Sequence, residues 1–359
     1  MVGRPGPLGR EGPLSEDEAA VRQIQYPADR DEGPGERLTF AGRRACNARM
    51  RLALLINRSA GTFRRLPLEP TVAAIAAAFR AAGHRADVEI CGRHDLSTAL
   101  TCLATRPDLD AVVIGGGDGT ILTAILAGLG TRVPLGILPL GTINLFARDL
   151  GLPRDPVAAA AVLAAGGPAE IDLAEVNGMP FAIWASLGMH PWMVRRRDHL
   201  QRDGVGKWRA MALAALRGLR RYPLIKAKIS VRGETFSVAT PLIVISNNAW
   251  RQERPPMQRS ALDQGLLEVH VARCSTRLSL IWLAVNALLG RWRLGRLLET
   301  YQAETVRVLS HQRRCMLSLD GEVTVLRSPL VFRARPKALH VLVPARPAAA
   351  AVHAETVAP

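Results

Sequence analysis

A glycine-rich hexapeptide carries the clearest chemistry in this sequence of 359 residues. It is Gly115-Gly-Gly-Asp-Gly-Thr120, and it lies between the apolar segments 111–114 and 121–126. Glycines let the backbone approach a ligand and turn its N–H groups toward it, and a helix that begins there adds its positive end. The segment therefore predicts a strand, a tight turn and a helix that together bind phosphate groups.

Asp118 suggests that this turn does more than hold a phosphate. A carboxylate beside phosphates is repulsive unless a divalent cation or a reacting proton lies between them. Asp118 therefore indicates chemistry. The alternative is an ordinary strand-to-helix turn, in which Gly and Asp are simply good turn residues. The segment has no P-loop Lys, and its glycine spacing is not that of a dinucleotide-binding fold.

Two further segments have both a chemical and a simpler interpretation. In Pro139-Leu-Gly-Thr-Ile-Asn144, we expect Thr142 to cap a helix that begins near Asn144, which would make a second anion-binding helix start. Capping without a ligand explains that segment equally well. In Leu319-Asp-Gly-Glu322, Asp-Gly is a favoured hairpin turn, so spacing alone indicates a turn.

The first half of the chain alternates strands and helices, as a parallel sheet with right-handed crossovers requires. Ligands bind such sheets at the carboxyl ends of the strands, and Asn57, Gly117 and Thr142 follow three of those ends. We therefore expect three loops to converge on one site. The predicted strands are 51–57, 86–90, 111–114 and 134–138, and the predicted helices besides that of the glycine turn are 68–82, 96–105 and 156–165.

The second half is predicted to be mostly antiparallel β-structure. Asn177-Gly178 between apolar-rich runs predicts a hairpin with arms at 170–176 and 181–187. Helices are predicted at 205–221 and 276–298; the apolar part of the second is too short to span a bilayer. The other predicted strands are 226–231, 236–238, 242–246, 266–271, 305–309, 316–319, 323–326, 330–333 and 339–343.

Composition limits the partners and the compartment. A net charge of +16 and a pI of about 11.0 indicate a polyanionic partner, such as nucleic acid, a phosphorylated small molecule or an anionic membrane. The aromatic content of 4% argues against single-stranded nucleic acid, which requires stacking side chains. The five scattered cysteines fit a reducing cytosol. Residues 1–48, which show no signal peptide, and residues 346–359 are predicted to be disordered.

Four motifs in order resemble the diacylglycerol kinase catalytic family, which includes bacterial lipid kinases and sphingosine and ceramide kinases. They are Asn57-x-x-x-Gly61, Gly115 to Thr120, Pro139 to Asn144 with Ala147-Arg148, and Leu319 to Glu322. The resemblance covers roughly residues 50 to 345 and implies an α/β plus β, NAD kinase/diacylglycerol kinase-like fold. A Rossmann-like domain (49–168) would precede a β-sandwich lipid-substrate domain (169–345), with ATP and Mg²⁺ in the cleft between them.

The resemblance also implies a role for each motif residue. Glu322 would be the general base that takes the proton from a lipid hydroxyl, while Asp118 and Asp263 would bind metal. Gln264 stands where the family usually has a second Asp, which predicts a poorer accessory metal site. His190 and Trp192 stand near a position where many members carry an Asp; His190 itself is predicted to be a structural or solvent-facing residue rather than a ligand. The cofactor-binding residues would be Asn57, Gly61, Gly115, Gly116, Gly117, Gly119, Thr120, Thr142 and Asn144.

The expected activity is that of an ATP-dependent lipid kinase acting on a diacylglycerol-like or related lipid, with a place in phospholipid biosynthesis. One alternative is an NAD kinase, although we find no Asn-Glu pair between Thr120 and Arg148. The other is a non-catalytic nucleotide- or lipid-binding protein at the membrane; Asp118 and Glu322 favour the enzyme. The expected partners are a lipid with a free hydroxyl and an anionic membrane, but no nucleic acid, and a homodimer is left open. The expected location is cytoplasmic and peripheral to the membrane.

The segment 205–221 combines many cations with apolar residues at helical spacing. A solvated charged face is the simpler interpretation of such a segment. A lipid kinase without a membrane span must nevertheless reach a bilayer. We therefore predict that this helix lies at the membrane interface, with Trp208 shallowly inserted and the arginines on anionic headgroups.

Overall fold

The computed structural model describes residues 49–345, apart from 93, 132, 222–223, 251–258, 275 and 289–296. The segments 1–48 and 346–359, predicted to be disordered, lie outside this range. The predicted boundary between domains at 168/169 stays a prediction.

The first half forms the predicted parallel sheet. Its strands are β1 (Arg51–Asn57), β2 (Arg85–Cys91), β3 (Ala111–Gly116) and β4 (Leu135–Pro139), in the order β2-β1-β3-β4. Its helices are α1 (Leu68–Ala81), α2 (Leu96–Ala104), α3 (Asp118–Leu126), α4 (Leu145–Asp149) and α5 (Pro156–Ala164), with a 3₁₀ helix at Gly61–Arg64.

The apolar runs of this half form strands because helices cover both faces of the sheet. Every residue of β3 and β4 is buried, as are six of the seven residues of β1. Helix α1 buries Val72, Ile75 and Phe79 against them and is followed by Gly83 in the left-handed conformation (φ 85°). The predicted order of elements is confirmed, with strand and helix ends shifted by one or two residues.

The second half contains helices α6 (Met189–Arg202), α7 (Lys207–Arg221) and α8 (Arg277–Leu288). Its strands are β5 (Gly167–Val176), β6 (Met179–Phe181), β7 (Trp184–Gly188), β8 (Ile225–Val231), β9 (Glu234–Thr240), β10 (Leu242–Asn247), β11 (Leu267–Ala272), β12 (Leu298–Ala303), β13 (Thr305–Ser310), β14 (Arg314–Leu319), β15 (Glu322–Arg327) and β16 (Leu330–Val343).

Two sheets share these strands. One is antiparallel throughout, in the order β12-β11-β10-β7-β14-β15, and we call it the second sheet. The other extends the parallel sheet as β4-β16-β13-β8-β9, with β5 also paired to β16. Ile229, Val306 and Phe332 of the extended sheet share a buried core with Ile245 and Leu317 of the second sheet. This packing makes the predicted β-sandwich.

The predicted hairpin around Asn177-Gly178 is only half correct. Both turn residues have positive φ (49° and 80°), as a two-residue hairpin turn requires, and β5 pairs with β6. The second arm, however, ends at Phe181, because residues 184–188 form β7 in the second sheet. The chain thus crosses from one sheet to the other at residues 182–183.

Strand β16 joins the two cores. The sequence predicts two strands, 330–333 and 339–343, whereas the structure has one strand with a register shift between Arg335 and Leu339. Its first part packs in the sandwich, and its second part packs with the core of the parallel sheet. It pairs with β13, β5 and β4.

Three elements were not predicted: the short 3₁₀ helix at Gly61–Arg64, helix α6 and strand β12. Helix α6 is mostly polar and buries only Pro191, Val194 and Leu200, so its sequence has no clear apolar periodicity. A helix was predicted for 276–298, and the structure describes a helix there as far as Leu288. Residues 289–296 lie outside the described part of the chain, and strand β12 follows them.

Helix α7 confirms the helix predicted for 205–221 and starts two residues later. Within the described ranges, no helix is long and apolar enough to cross a membrane.

Candidate active site

The glycine turn leaves a helix start without a side-chain cap. Strand β3 ends at Gly116, and Gly117 is the N-cap of α3 in an extended conformation. Asp118 begins a nine-residue helix, and no side chain caps its start with a hydrogen bond. The first N–H groups of the helix point back toward the end of β3. Such N–H groups and the helix dipole favour an anion. The predicted strand, turn and helix are confirmed.

The loops that follow β3 and β4 touch backbone to backbone. A Cβ on Gly141 would lie 2.5 Å from Gly117 Cα, so a side chain at Gly141 would push the loops apart. The loop after β1 reaches the same place, since a Cβ on Gly61 would lie 3.2 Å from Thr142 Oγ1. The predicted convergence of three loops is therefore confirmed, while the roles of these residues in nucleotide binding stay predictions.

Asn57 ties the end of β1 to helix α3. Its Nδ2 donates to Thr120 Oγ1 at 3.1 Å, and its Oδ1 accepts from Ser59 N at 2.9 Å. Both Asn57 and Thr120 are buried. Gly116 is also close to this pair, because a Cβ there would lie 2.5 Å from Thr120 Cβ. Asn57 thus holds the glycine turn against the first strand.

The predicted cap by Thr142 is wrong. Helix α4 begins at Leu145, and its N-cap is Asn144, which adopts the left-handed conformation (φ 52°) that Asn tolerates. The Asn144 side chain instead closes its own loop: Oδ1 accepts from Gly141 N (2.8 Å) and Nδ2 donates to Gly141 O (3.0 Å). Thr142 is exposed. Since α4 has five residues, it does not provide the second anion-binding helix start that the sequence suggested.

Asp118 connects the glycine turn to α4. Its Oδ1 accepts the backbone N–H of Phe146 at 3.2 Å, and the side chain is half-buried. The carboxylate therefore faces the gap between the loops that follow β3 and β4. An oxygen ligand of this kind, beside an anion-binding helix start, suits a hard divalent cation.

Glu322 reaches the glycine turn from the second sheet. It is the first residue of β15, directly after the turn residues Asp320 (φ 47°) and Gly321 (φ 90°). Its Oε1 would lie 3.0 Å from a Cβ placed on Gly119, and the side chain is exposed. The structure thus brings both predicted catalytic carboxylates, Asp118 and Glu322, to the start of α3.

A buried carboxylate that sequence reasoning missed holds this hairpin in place. Asp320 accepts three backbone N–H groups of the crossing between the sheets, from Ala182 (2.6 Å), Ile183 (2.8 Å) and Trp184 (2.9 Å). Burial raises the pKa of Asp320 to about 6, against the opposing effect of those N–H groups. The sequence signals only a turn at this position, because the partners of Asp320 lie far away along the chain.

A buried ion pair was also missed. Arg259 Nε donates to Asp149 Oδ2 at 2.7 Å, and Arg259 Nη1 donates to Ala182 O at 2.6 Å. The guanidinium lies 5.4 Å from the centre of the Phe146 ring. Arg259 therefore links α4 to Ala182. In α4, the N–H of Phe146 binds Asp118. The N–H of Ala182 binds Asp320. A continuous set of contacts joins the two candidate catalytic carboxylates.

We expect Asp149→Ala to lower the free energy of unfolding by about 3–5 kcal/mol, because it leaves the buried guanidinium of Arg259 without its counter-charge. Urea unfolding measures this change. The exposed pair Arg85–Asp87, with N–O distance 3.7 Å, provides the control, and Asp87→Ala should cost less than about 1 kcal/mol. Equal, small losses in both variants would show that the buried pair adds no stability.

Asp263 is half-buried before β11, and its predicted metal role stays a prediction. The neighbouring Gln264 makes structural bonds: Oε1 accepts from Ala249 N and the backbone N donates to Asn248 Oδ1, both at 3.1 Å. Across the described part of the chain, no group of three or more His, Cys, Asp and Glu residues is arranged to hold a metal. A cation at Asp118 would therefore take water and phosphate oxygens as its other ligands.

The face of the second sheet that turns away from the sandwich core carries three serines beside an apolar cluster that includes Trp184, Val244 and Trp250. Ser186 and Ser318 are paired across β7 and β14, and Ser246 lies on the same face of β10. Ser186 Oγ lies 2.7 Å from His190 Nδ1, while the buried hydroxyls of Ser246 and Ser318 find no hydrogen-bond partner among the described residues. Burial and, to a lesser degree, the charge of Arg197 lower the pKa of His190 to about 4, so this histidine is neutral near pH 7.

Comparison with known proteins agrees with this geometry. Residues 51–176 match the diacylglycerol kinase catalytic domain, and residues 193–343 match the YegS C-terminal NAD kinase beta sandwich-like domain. A diacylglycerol kinase of Mycobacterium tuberculosis is 31% identical over 281 residues, which are 72% of this chain and 84% of that protein. A diacylglycerol kinase of Bacillus subtilis is 30% identical over 230 residues, 61% of this chain and 73% of that protein. The chain belongs to the diacylglycerol kinase family.

The fold is also that of solved members. The crystal structure of a putative diacylglycerol kinase from Bacillus anthracis has a TM-score of 0.65 at 20% identity and covers 82% of this chain and 98% of its own. At that identity the similarity concerns the fold. The chain spans 54% and 58% of the length of two other relatives, from Synechocystis and Klebsiella pneumoniae.

Proposed function

We propose that this protein is an ATP-dependent lipid kinase that transfers the γ-phosphoryl group of ATP to a hydroxyl of a diacylglycerol-like lipid. One observation carries the proposal: the carboxylate of Glu322, from the second sheet, lies beside Gly119 at the start of α3. An anion-binding helix start, the carboxylate of Asp118 and a second, exposed carboxylate therefore occupy one place. Phosphoryl transfer needs all three kinds of group.

Each group has a distinct role in this proposal. The N–H groups of the glycine turn bind the phosphates of ATP, and the bond from Phe146 N keeps the Asp118 carboxylate directed toward them. Asp118 would hold Mg²⁺, which neutralises charge on the phosphates when it is bound. Glu322 accepts the proton from the acceptor hydroxyl as that oxygen bonds to phosphorus and the bond to ADP breaks.

The acceptor approaches from the second sheet. Ser186, Ser246 and Ser318 lie on one face of the second sheet, and Ser318 directly precedes Leu319, the residue of β14 that pairs with Glu322. Buried hydroxyls without partners are costly, and a polar headgroup can supply the missing hydrogen bonds. We also propose that the enzyme works at the cytoplasmic surface of an anionic membrane, which the charge of +16 favours.

The test is an assay of the purified full chain with labelled ATP, Mg²⁺ and a panel of lipids in detergent micelles, with NAD as the control acceptor. We expect label in a diacylglycerol-like lipid and none in NAD. Label in NAD would instead identify an NAD kinase. Binding of ATP without transfer to any acceptor would identify a non-catalytic nucleotide-binding protein.

A further inference from the structure

Helix α8 exposes a row of large apolar side chains. Leu278 is 78% exposed, Ile281 41%, Trp282 59% and Val285 42%. These positions follow the spacing i, i+3, i+4 and i+7, so the four side chains lie on one face of the helix, which we call the α8 stripe. Single exposed apolar residues are common, but a contiguous row on one face marks an interaction surface.

The opposite face of α8 is firmly packed. Leu280 and Leu283 are 4% and 8% exposed and belong to a buried cluster that includes Leu219 of α7 and Met189 of α6. One side of α8 is therefore buried in a cluster against which a residue of α7 also packs. The α8 stripe faces outward because the other face is already buried.

Helix α7, whose Leu219 packs against the same buried cluster, carries positive charge. Arg209, Arg217 and Arg220 are exposed, together with Leu213 (40%) and Leu216 (47%). Neither α7 nor α8 contains an Asp or a Glu. The combined surface is thus apolar with basic side chains and has no acidic residue from either helix. Such a surface complements an anionic bilayer, whose headgroups are negative and whose interior is apolar.

We propose that the α7–α8 surface docks the protein on anionic membranes, with the α8 stripe inserted at the acyl boundary and the arginines of α7 on headgroup phosphates. This inference rests on the proposed lipid acceptor and identifies the membrane-facing surface. It revises the sequence prediction that Trp208 is the inserted residue: Trp282 takes that role, and the Trp208 side chain lies outside the description. A second copy of the chain is a poorer partner for this surface than a membrane is. A two-fold symmetric interface would bring the α7 arginines of both copies together, where they repel each other.

The test is co-sedimentation of the full chain with vesicles of phosphatidylcholine and phosphatidylglycerol, and with vesicles of phosphatidylcholine alone. The double variant Leu278→Gln, Trp282→Gln should lose roughly tenfold or more in affinity for the mixed vesicles, since each substitution removes a large apolar side chain from the boundary. The matched control is Leu309→Gln, an exposed leucine on β13 of the other sheet. It should bind as the unmodified chain does.

A second pair of variants tests the charges. Arg217→Gln with Arg220→Gln should weaken binding to the mixed vesicles by roughly thirtyfold, at about 1 kcal/mol for each cation, with little change on phosphatidylcholine alone. Arg307→Gln with Arg313→Gln, two exposed arginines elsewhere, is the control. Circular dichroism should show the same fold in all variants.

Unchanged vesicle binding in both α7 and α8 variants would overturn the docking surface. So would a wild-type dimer, seen by light scattering, that the α8 variant converts to a monomer. The proposed function is judged separately by transfer to a lipid in detergent micelles, which does not require a bilayer. We expect the docking variants to keep that activity. Unchanged vesicle binding of the variants with micellar activity retained would contradict only the present inference, and absence of micellar activity in the unmodified chain would contradict only the proposed function.

Discussion

Asp118→Asn is expected to lower the rate of phosphoryl transfer by ~10² or more without disturbing the fold. The amide keeps an oxygen that can accept the N–H of Phe146, so the link between α3 and α4 survives. What is lost is the negative charge that would hold a cation among the phosphates. The measurement is kcat with ATP and Mg²⁺ in the micellar assay.

Asp155→Asn is the matched control for this substitution. Asp155 is also an aspartate at a helix start, where Oδ1 accepts Ala158 N at 2.8 Å as the cap of α5, and Asn is as good a cap. This variant should retain full activity and stability. Near-normal turnover in Asp118→Asn would rule out a metal-binding role for Asp118.

Glu322→Gln is expected to keep ATP binding and to lose ~10² to 10⁴ in the rate of transfer, because only proton acceptance is removed. The side chain is exposed, and the hairpin is held by Asp320 rather than by Glu322. The fold should therefore not change. Separate measurements of ATP affinity and turnover distinguish the two effects.

The chain offers a close structural control. Glu234 is also the first residue of a strand after two turn residues with positive φ, Arg232 (52°) and Gly233 (88°), and it is exposed. Glu234→Gln changes the same charge in the same kind of turn, away from the glycine turn, and should leave transfer unaltered. A Glu322→Gln protein that binds ATP weakly but retains its turnover number would indicate a structural role for Glu322.

Much of the parallel sheet could be predicted because its signals are local. Buried strands such as Ala111–Gly116 are continuous apolar runs, and the residues after them must meet at one sheet edge. The convergence of Asn57, Gly117 and Thr142 followed from that rule alone. The position of Glu322 beside Gly119 did not: spacing indicated only a hairpin turn, and the expectation of a catalytic role depended on family resemblance.

The missed features depend on contacts between distant parts of the chain. Arg259 and Asp149 are separated by 110 positions, and neither lies in a pattern that marks it as buried. The same is true of Asp320, whose three N–H donors belong to the crossing at residues 182–184. The prediction that Thr142 caps α4 failed for a local reason. Capping rules assume that the N-cap residue has an extended backbone, whereas the N-cap of α4 is Asn144, whose backbone is left-handed.

Strand β16 makes the order of synthesis important. Strand β4, every residue of which is buried, is bordered by β3 on one side and by β16 on the other, where Val341 pairs with Leu135. During translation, β4 therefore emerges long before its second neighbour exists and remains an apolar sheet edge, a surface prone to pairing with other chains. The glycine turn cannot be held in a finished sheet until Leu339–Val343 has left the ribosome, so in nascent chains that end before Leu339 this edge of β4 is still unpaired.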